Sequence, residues 1–524
     1  MLTACGGGGG SGSGGSTPVN DFPETQAEAA RFVAQSTFGP NDQSIARVKQ
    51  VGYSAWLGEQ MALPASLHRP AIEQLQQGGT TVQPYHRQAM WWKHALTGPD
   101  QLRQRMAFAL SEILVISDAN DTLASDVLGC TEYYDILVRG AFGTYRELLE
   151  HVTLSPQMGK YLSHLRNEKP NPITNTRPDE NYAREIMQLF TIGLFELNAN
   201  GTRKTQNGQP IATYVQDDIV NLAHVFTGWN YANSPQWWSN NPNYLPMQAW
   251  PQYHDTAPKV VLGQTFVAGQ TAEQDLAQAL DLLCNHPNIG PFLGRQLIQH
   301  LVTSNPSPAY VARVAAVWAN DGSGTRGNLA AVLRAILLDS EARTGQTVAA
   351  NYGKTREPLL MMTAIWRAVG AVSPSGAWRF DRPDFSFAQA VLRSRSVFNF
   401  FRPDYAPQGD IVAAGIVAPE FQILDHTSAI TTINQFYRAM FERLADDPGA
   451  PQNEILIDIA PFATMAQDVP ALLDWLDLHL LYGAMSEDMR TILTTHLNGV
   501  SDARQRALDA IYLTASSPEF FVQK

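Results

Sequence analysis

Cysteine is scarce in this chain, which contains only three in 524 residues. No CxxC pair and no Cys/His cluster occurs at the spacing of a structural zinc site, so the common zinc-stabilised modules are excluded. Apart from Cys5, two cysteines remain, Cys130 and Cys284, and both lie among apolar residues. They could form a disulfide in an oxidising compartment or stay as free buried thiols, and the sequence leaves both alternatives open.

Positive charge is also in short supply, because 37 lysine and arginine residues stand against 49 aspartate and glutamate residues. The formal net charge of −12 offers no basic surface for DNA or RNA, and we expect no nucleic-acid partner. Long apolar runs are missing too, since no stretch approaches the roughly 20 residues of a membrane-spanning helix. Attachment to a membrane would therefore have to come through a lipid.

Several catalytic and nucleotide-binding motifs are absent from the sequence. It contains no GxSxG nucleophile turn, no HExxH zinc motif, no P-loop and no GxGxxG following a strand. The glycine run at 6–10 belongs to a Gly/Ser-rich stretch with the composition of a linker, and it is not a phosphate-binding loop.

The first residues that are informative lie at the N-terminus. Leu2, Thr3, Ala4 and Cys5 resemble a bacterial lipobox, in which the chain is cut before the cysteine and that cysteine is lipidated. The Gly/Ser run that follows would serve as a flexible tether, which we place at residues 1–22. An accidental match is the alternative, because the basic and apolar regions of a signal peptide are missing. We expect a lipid-anchored or secreted protein of the bacterial cell envelope, in contact with the membrane through Cys5.

The remainder of the chain, 44% hydrophobic overall, carries apolar residues at spacings of three and four between Pro, Gly and Asp. Helices are predicted along its whole length, for example at 101–116, 178–194, 289–302 and 387–393. Only 260–266 has the pattern of a strand. We therefore predict a mainly α fold, a large multi-helix orthogonal bundle with long aromatic-rich loops and at most a small β-hairpin. Residues 23–524 are expected to form a single large helical domain.

Two long non-helical segments interrupt the helices, at 229–259 and 397–419, and loops of this length are often functional. The first is rich in aromatic residues among amides, a combination of surfaces that binds sugars. The alternative is that these rings only pack the loop onto the helices. The residues predicted to bind substrate here are Trp229, Trp237, Trp238, Tyr253 and Lys259.

The helix predicted at 178–194 carries an unusual density of polar groups. Glu180 and Arg184 are four residues apart and suited to an ion pair, while Asn181 and Glu185 follow a neighbouring line. Two carboxylates and a guanidinium within one turn could bind a cation or serve as acid and base. They could equally form a buried ion-pair network that fixes helix packing.

A second candidate group is His254 with Asp255 and Lys259, at the end of the aromatic segment. An imidazole beside a carboxylate is a natural base or metal ligand, although the same dipeptide also occurs in turns and caps.

Taken together, these motifs identify a resemblance to the bacterial family of unknown function called DUF1800. The landmarks are RQRMAFAL at 103–110, residues 154–165, ENYARE at 180–185, VFTGW at 225–229, HD at 254–255 with Lys259, RQL at 295–297 and REP at 356–358. The resemblance implies a mainly helical, secreted or envelope-located protein of undefined activity, often encoded beside a sulfatase-like partner protein. Many members carry His-Asn-His where this chain has Ser111, Glu112 and Ile113, and a histidine where it has Phe190, so a site built on those histidines is not implied here.

Two functions remain open. In the first, the protein is an enzyme acting on a carbohydrate-like or other polymeric substrate, with Glu180, Arg184, Glu185, His254 and Asp255 as catalytic groups meeting in one cavity. Asn181 and the aromatic residues would then bind the substrate, and a divalent metal is possible but has no predicted ligand set. In the second, the protein is a noncatalytic surface scaffold or binding module that works with a partner protein.

Overall fold

The computed structural model describes residues 20–119, 122–239, 244–349, 351–380 and 382–524. Cys5 and nearly all of the predicted tether lie outside the described residues. Lipidation at Cys5 and the boundary of the tether therefore stay predictions.

The mainly α fold is confirmed, because helices follow one another along the described chain. The helices before residue 165 are α1 (Gln26–Ser36), α2 (Asp42–Val51), α3 (Tyr53–Ala62), α4 (Arg69–Gln77), α5 (Pro84–Thr97), α6 (Gln101–Ile113), α7 (Val127–Gly140), α8 (Tyr145–Thr153) and α9 (Pro156–Tyr161). The helices of the middle region are α10 (Asn181–Gln188), α11 (Gln216–Val225), α12 (Ala272–Asn285), α13 (Ile289–Leu301), α14 (Pro308–Ala319), α15 (Leu329–Leu337), α16 (Ser340–Val348) and α17 (Pro358–Ala368). The helices of the last part are α18 (Pro383–Phe387), α19 (Asp410–Ala413), α20 (His426–Phe441), α21 (Ala460–Met465), α22 (Val469–Leu476), α23 (Glu487–Gly499), α24 (Ala503–Ala515) and α25 (Pro518–Phe521).

Short antiparallel strand pairs connect these helices. The pairs are β1 (Thr205–Gln206) with β2 (Gln209–Pro210), β3 (Trp229–Asn230) with β4 (Gln248–Ala249), β5 (Lys259–Val261) with β6 (Gln264–Phe266), and β7 (Lys354–Thr355) with β8 (Val522–Gln523). The hairpin expected near 260–266 is β5–β6, and three smaller pairings accompany it. In the last pair the C-terminal strand fixes the segment that carries Lys354, with Lys354 opposite Gln523.

The predicted helix at 387–393 is wrong. In the structure α18 occupies Pro383–Phe387, and Ala388 and Leu392 take positive φ angles of 52° and 55°. A left-handed residue cannot continue a right-handed helix, so the chain turns there and presents Gln389 to the interior. The helix expected at 178–194 is also shorter, because α10 ends at Gln188.

One buried apolar cluster extends from Ala29 in α1 to Phe520 in α25. Cys130 and Cys284 are both buried free thiols, which answers the question of their pairing. Burial raises the pKa of each thiol to about 12 and keeps it protonated. Among the described residues, no helix is both long and apolar enough to cross a bilayer.

Candidate functional site

Three ionisable side chains from distant parts of the sequence meet in the interior: Glu112, His300 and Glu357. Their ligand atoms all lie within 4.8 Å of one another. His300 Nδ1 is 3.2 Å from Glu112 Oε2 and 4.0 Å from Glu357 Oε1, and the side chains are 9%, 2% and 0% exposed in that order. We call these three residues the central cluster.

Each member of the central cluster is placed by the end of a helix. Glu112 lies in the last turn of α6, where the helix dipole disfavours a negative charge. His300 lies in the last turn of α13, and its carbonyl oxygen accepts hydrogen bonds from Arg105 (2.6 Å) and Lys354 (2.8 Å). Glu357 immediately precedes α17, where the dipole favours a carboxylate. The two cations therefore cap α13 and hold His300 in position.

The outer oxygens of the two carboxylates are held by one amide. Gln389 Nε2 donates to Glu112 Oε1 at 3.0 Å and to Glu357 Oε2 at 2.7 Å. Gln389 Oε1 in turn accepts from the backbone N–H of Leu359 at 3.2 Å, which fixes the orientation of the amide. Among the described residues, the inner atoms Glu112 Oε2, Glu357 Oε1 and His300 Nδ1 have no hydrogen-bond partner. Three potential ligand atoms thus lie within ion-pair distance of one another without a hydrogen bond to any described residue.

A third buried carboxylate, Glu420, adjoins the central cluster from the 3-10 turn Pro419–Gln422. Lys354 Nζ lies between Glu420 and the central cluster, 3.1 Å from Glu420 and 3.6 Å from Glu357. Glu420 Oε2 has no hydrogen-bond partner in the described part of the chain. Three carboxylates therefore share the positive charges of Lys354 and the buried Arg105, which leaves the group one positive charge short when His300 is neutral.

The pKa shifts of these residues are consistent with this excess of negative charge. Burial raises the pKa of Glu112 to about 7, and the negative charge of Glu357 adds to the effect. Burial alone would also raise the pKa of Glu357, but His300, Lys354 and Arg105 outweigh it and hold that pKa well below its ordinary value. For His300, burial acts to lower the pKa, whereas the two carboxylates raise it above its usual value.

A cleft of about 1020 Å³ leads from the surface to Glu112, His300 and Glu420. One wall is a single face of α13, on which residues recur at spacings of three and four. The opposite walls come from the C-terminal end of α10 with the chain up to 203, and from the segment 397–419, which was expected to be non-helical but contains the single turn α19. The residues of the α13 face are Phe292, Arg295, Gln296, Gln299 and His300.

The glycine that follows α10 allows the two walls to meet. Gly193 has a φ of +72°, and a Cβ atom there would lie 2.8 Å from the ring of Phe292. Gln188 and Leu189, at the end of the same helix, line the cleft. The ENYARE helix therefore contributes to this cleft through its C-terminal end.

Of the polar residues predicted on the ENYARE helix, Glu180 and Arg184 pair with each other, whereas Glu185 has an oxygen without a partner among the described residues. Glu180 and Arg184 form a half-exposed ion pair at 3.2 Å, and Gln216 Nε2 donates to Glu180 at 2.8 Å. Asn181 is exposed. Glu185 is buried, its Oε2 has no partner among the described residues, and burial raises its pKa.

His254, Asp255 and Lys259 belong to a separate buried network. His254 Nε2 is 3.2 Å from Asp275, and Lys259 Nζ is 2.6 Å from the same carboxylate. Asp255 is 2.5 Å from His224, which holds the pKa of that carboxyl at about 2. Asp275, on α12, completes the network. No hydrogen bond or ion pair between described residues joins this network to Glu180 or Glu185.

A close approach of the backbone places His254. Gly228 has a φ of +85°, and a Cβ atom there would lie 2.8 Å from His254 Cβ. The side chain of His254 also lies 3.0 Å from the carbonyl oxygen of Thr227. The Thr-Gly-Trp landmark is thus the turn that accommodates this histidine.

The aromatic residues predicted to bind substrate differ in exposure. Trp229 and Trp237 are buried, 4% and 2% exposed, and Trp237 stacks on Tyr253 at a centroid distance of 4.0 Å. Trp237 Nε1 also donates to Glu168 at 2.7 Å. Trp238 is 67% exposed. A role in substrate binding stays a prediction for the group, and the burial of two of its tryptophans counts against it.

Sequence reasoning missed the central cluster as a site. Its residues nevertheless lie in or next to landmarks of the resemblance: Glu112 follows RQRMAFAL, His300 follows RQL, and Glu357 is the middle residue of REP. A further signal was available in Glu112 itself, an acidic residue in the last turn of a helix whose second half is largely apolar.

Comparison with known proteins gives one match. A family model described as "Protein of unknown function (DUF1800)" matches residues 31–522. No curated protein and no solved structure matches the chain.

Proposed function

The chain belongs to the DUF1800 family, whose function is unknown, and we propose that it is an enzyme whose reaction centre is the central cluster holding one divalent cation. The observation that carries this proposal is the set of three inner ligand atoms that lie close together without a hydrogen bond to any described residue, while Gln389 holds the outer oxygens. Metal-binding carboxylates and imidazoles are commonly held by such neighbouring hydrogen bonds.

The distances support a single ion. Ligand atoms about 2.1 Å from a common ion lie roughly 3.0 to 4.2 Å apart, depending on the coordination geometry. The separations of 3.2 and 4.0 Å from His300 to the two carboxylates fall in that interval. A maximum separation of 4.8 Å requires the ligand atoms to close by about 0.6 Å for opposite ligands of an octahedral ion and by about 1.4 Å for a tetrahedral ion. One imidazole with two carboxylates suits zinc, manganese or ferrous iron.

The charge balance favours the same conclusion. The group is one positive charge short when His300 is neutral, and a divalent cation would make it net positive by one. That excess would attract a hydroxide or an anionic substrate group at the inner end of the cleft. A cation in this position lowers the pKa of a bound water or polarises a substrate oxygen.

Glu420 is the residue we assign as general base. It lines the cleft, its Oε2 is unpartnered among the described residues, and Lys354 holds its other oxygen at 3.1 Å. The reaction class that fits is hydrolysis, with water as the attacking group. A cleft of about 1020 Å³ has room for several units of a chain-like substrate, so a carbohydrate-like or other polymeric substrate stays our prediction.

The test is elemental analysis of the purified chain after exchange with zinc, manganese and iron. We expect about one metal ion per chain, lost in Glu112→Gln and His300→Ala. Glu180→Gln is the control, because it removes a carboxylate from the half-exposed pair with Arg184 and leaves the cluster intact. Thermal melting of each variant separates lost binding from lost folding. Wild-type protein free of metal after exchange, or equal metal content in wild type and His300→Ala, would contradict the proposal.

A noncatalytic binding module is the second candidate, and the observation in its favour is that Trp238 is 67% exposed and Leu245, in the same aromatic-rich segment, is 43% exposed. Aromatic and apolar side chains on an exposed loop are typical of a docking surface. Under this reading Trp238→Ala abolishes the cellular role while Glu112→Gln preserves it. If the protein is an enzyme, Glu112→Gln should abolish the cellular role and Trp238→Ala should preserve it.

We also retain as proposals the lipid anchor at Cys5, the location in the bacterial envelope and the sulfatase-like partner protein. Their support is the lipobox-like residues and the family resemblance. Labelling with a fatty-acid analogue tests the anchor, because Cys5→Ala should remove the label from a chain expressed with its native leader. Co-purification from envelope extracts tests the partner.

A further inference from the structure

Arg295 is a partly buried cation that lines the cleft without a partner. It lies on the cleft face of α13. Among the described residues, its guanidinium has no hydrogen bond and no ion pair, although most arginines of the chain have one. A partly desolvated guanidinium with five free donors is costly to keep unpaired, and an incoming anion would offset that cost.

The charged neighbours of Arg295 carry both signs of charge. Burial lowers the pKa of Arg295, the negative charge of Asp404 acts in the opposite direction, and Arg203 lowers the pKa slightly further. Asp404 lies on the segment 397–419 and is 3.9 Å from Arg402, with both side chains exposed. The charge of Asp404 is thus shared with another arginine, and Arg203 adds a second cation to the same part of the cleft.

The opposite end of the cleft is acidic. Glu112 and Glu420 line it there, and between the two ends stand amides from Gln299, whose Oε1 is unpartnered among the described residues, and from Gln296. In the metal-free chain an anion is therefore drawn towards Arg295 and repelled from the carboxylates.

We propose that Arg295 is an oxyanion subsite, which binds a carboxylate, phosphate or sulfate group of the substrate about 7 Å along the axis of α13 from His300. The spacing follows from the five residues that separate Arg295 from His300 in one helix. The planar guanidinium suits all three oxyanions, since it donates two parallel hydrogen bonds to a pair of oxygens. This inference rests on the proposed function in assigning the ligand to a substrate; the binding of an oxyanion at Arg295 stands without it.

The test measures binding of inorganic phosphate to the full chain after removal of metal with a chelator, by titration calorimetry at constant ionic strength. Chloride balances the ionic strength, so that general screening is the same at every point. We expect saturable binding to wild type and a loss of about tenfold or more in affinity for Arg295→Gln. Arg295→Lys should bind with intermediate affinity, because it keeps the charge and loses the fork of donors. Sulfate and acetate, titrated in the same way, rank the three oxyanions.

Arg313→Gln is the matched control, because Arg313 lies outside the cleft and its guanidinium is paired with Asp339. It should bind phosphate within about twofold of wild type. Wild type that shows no saturable binding, or Arg295→Gln that binds as tightly as wild type, would overturn the proposal.

The proposed metal centre and the proposed oxyanion subsite can be refuted independently of each other. Arg295→Gln should keep its metal ion, and Glu112→Gln should lose the metal ion but keep phosphate binding. If Arg295→Gln loses phosphate binding and neither wild type nor any variant holds metal, the oxyanion subsite is supported and the metal centre is refuted. If wild type holds metal but does not bind phosphate, the metal centre is supported and the oxyanion subsite is refuted.

Discussion

Glu112→Gln should make the metal-free protein more stable, although it removes a residue of the proposed reaction centre. In wild type, burial and the charge of Glu357 raise the pKa of Glu112 from 4.5 to about 7. The folded chain therefore binds this proton more tightly than the unfolded chain does. Below about pH 4 Glu112 is protonated in both states and does not change the free energy of unfolding. As pH rises from 4.5 to 7 the free energy of unfolding falls, and above pH 7 it falls no further on account of Glu112.

The magnitude follows from the shift. A rise of about 2.5 pKa units corresponds to about 3 kcal/mol above pH 7. Glutamine has nearly the shape of the protonated carboxyl and does not ionise, so Glu112→Gln should recover most of this energy at pH 8.5 and almost none at pH 4. With an unfolding entropy of about 2 cal/mol/K per residue over roughly 500 residues, 3 kcal/mol corresponds to about 3 °C in Tm.

The assay is thermal unfolding of wild type and Glu112→Gln in chelator at pH 4, 6 and 8.5, with Glu180→Gln as control. The difference in Tm should grow with pH for Glu112→Gln and stay near zero for the control. Zinc or manganese at a hundred times its Kd should then stabilise wild type by about 2.7 kcal/mol and leave Glu112→Gln unchanged. A variant less stable than wild type in chelator at pH 8.5 would refute the argument that this carboxylate is held at a cost.

Three further predictions concern the surroundings of the site and the turns that support the fold. Gln389→Leu removes both hydrogen bonds to the outer carboxylate oxygens and should weaken metal binding by about 10- to 100-fold in competition titrations; unchanged affinity would show that the amide does not hold the ligands. Gly228→Ala should lower stability by about 2 kcal/mol or more in urea unfolding, because its φ is +85° and the added Cβ would lie 2.8 Å from that of His254; a neutral result would mean that the turn relaxes freely. Trp237→Ala should cost about 3–5 kcal/mol in the same assay, whereas Trp238→Ala, at 67% exposure, should cost less than about 0.5, and equal losses would contradict the different burial of the two rings.

The helical architecture was largely readable from the sequence, because apolar spacing reports which face of a segment is buried. The predicted helix at 289–302 agrees closely with α13, Ile289–Leu301. The failure at 387–393 has a local cause, since the left-handed conformations of Ala388 and Leu392 are imposed by packing and leave no mark in the apolar pattern. The end of α10 was placed too late for a similar reason, because Leu189, Phe190 and Ile192 continue the apolar pattern beyond the helix.

The site was harder to find because its members come together only in the tertiary structure. Glu112, His300 and Glu357 are separated by 188 and 57 positions, so no local spacing links them. Reasoning from neighbouring residues instead favoured groups that are close in sequence, such as Glu180 with Arg184 and His254 with Asp255. Glu180 with Arg184 and His254 with Asp275 are held by ion pairs, whereas the central cluster brings three potential ligand atoms from distant parts of the sequence within 4.8 Å of one another.

That contrast decides which buried charges call for a functional explanation. Lys259 and Asp275 are matched at 2.6 Å, and a matched pair of this kind can serve packing alone. Glu112, Glu357 and Glu420 exceed Lys354 and Arg105 by one charge when His300 is neutral, and they hold oxygens without a hydrogen bond to any described residue in a region that opens to a cleft. Apolar side chains of similar volume would make that region more stable, so stability does not account for three carboxylates there. The proposed divalent cation would account for them, because it would more than offset the missing charge and would lie between the three inner ligand atoms.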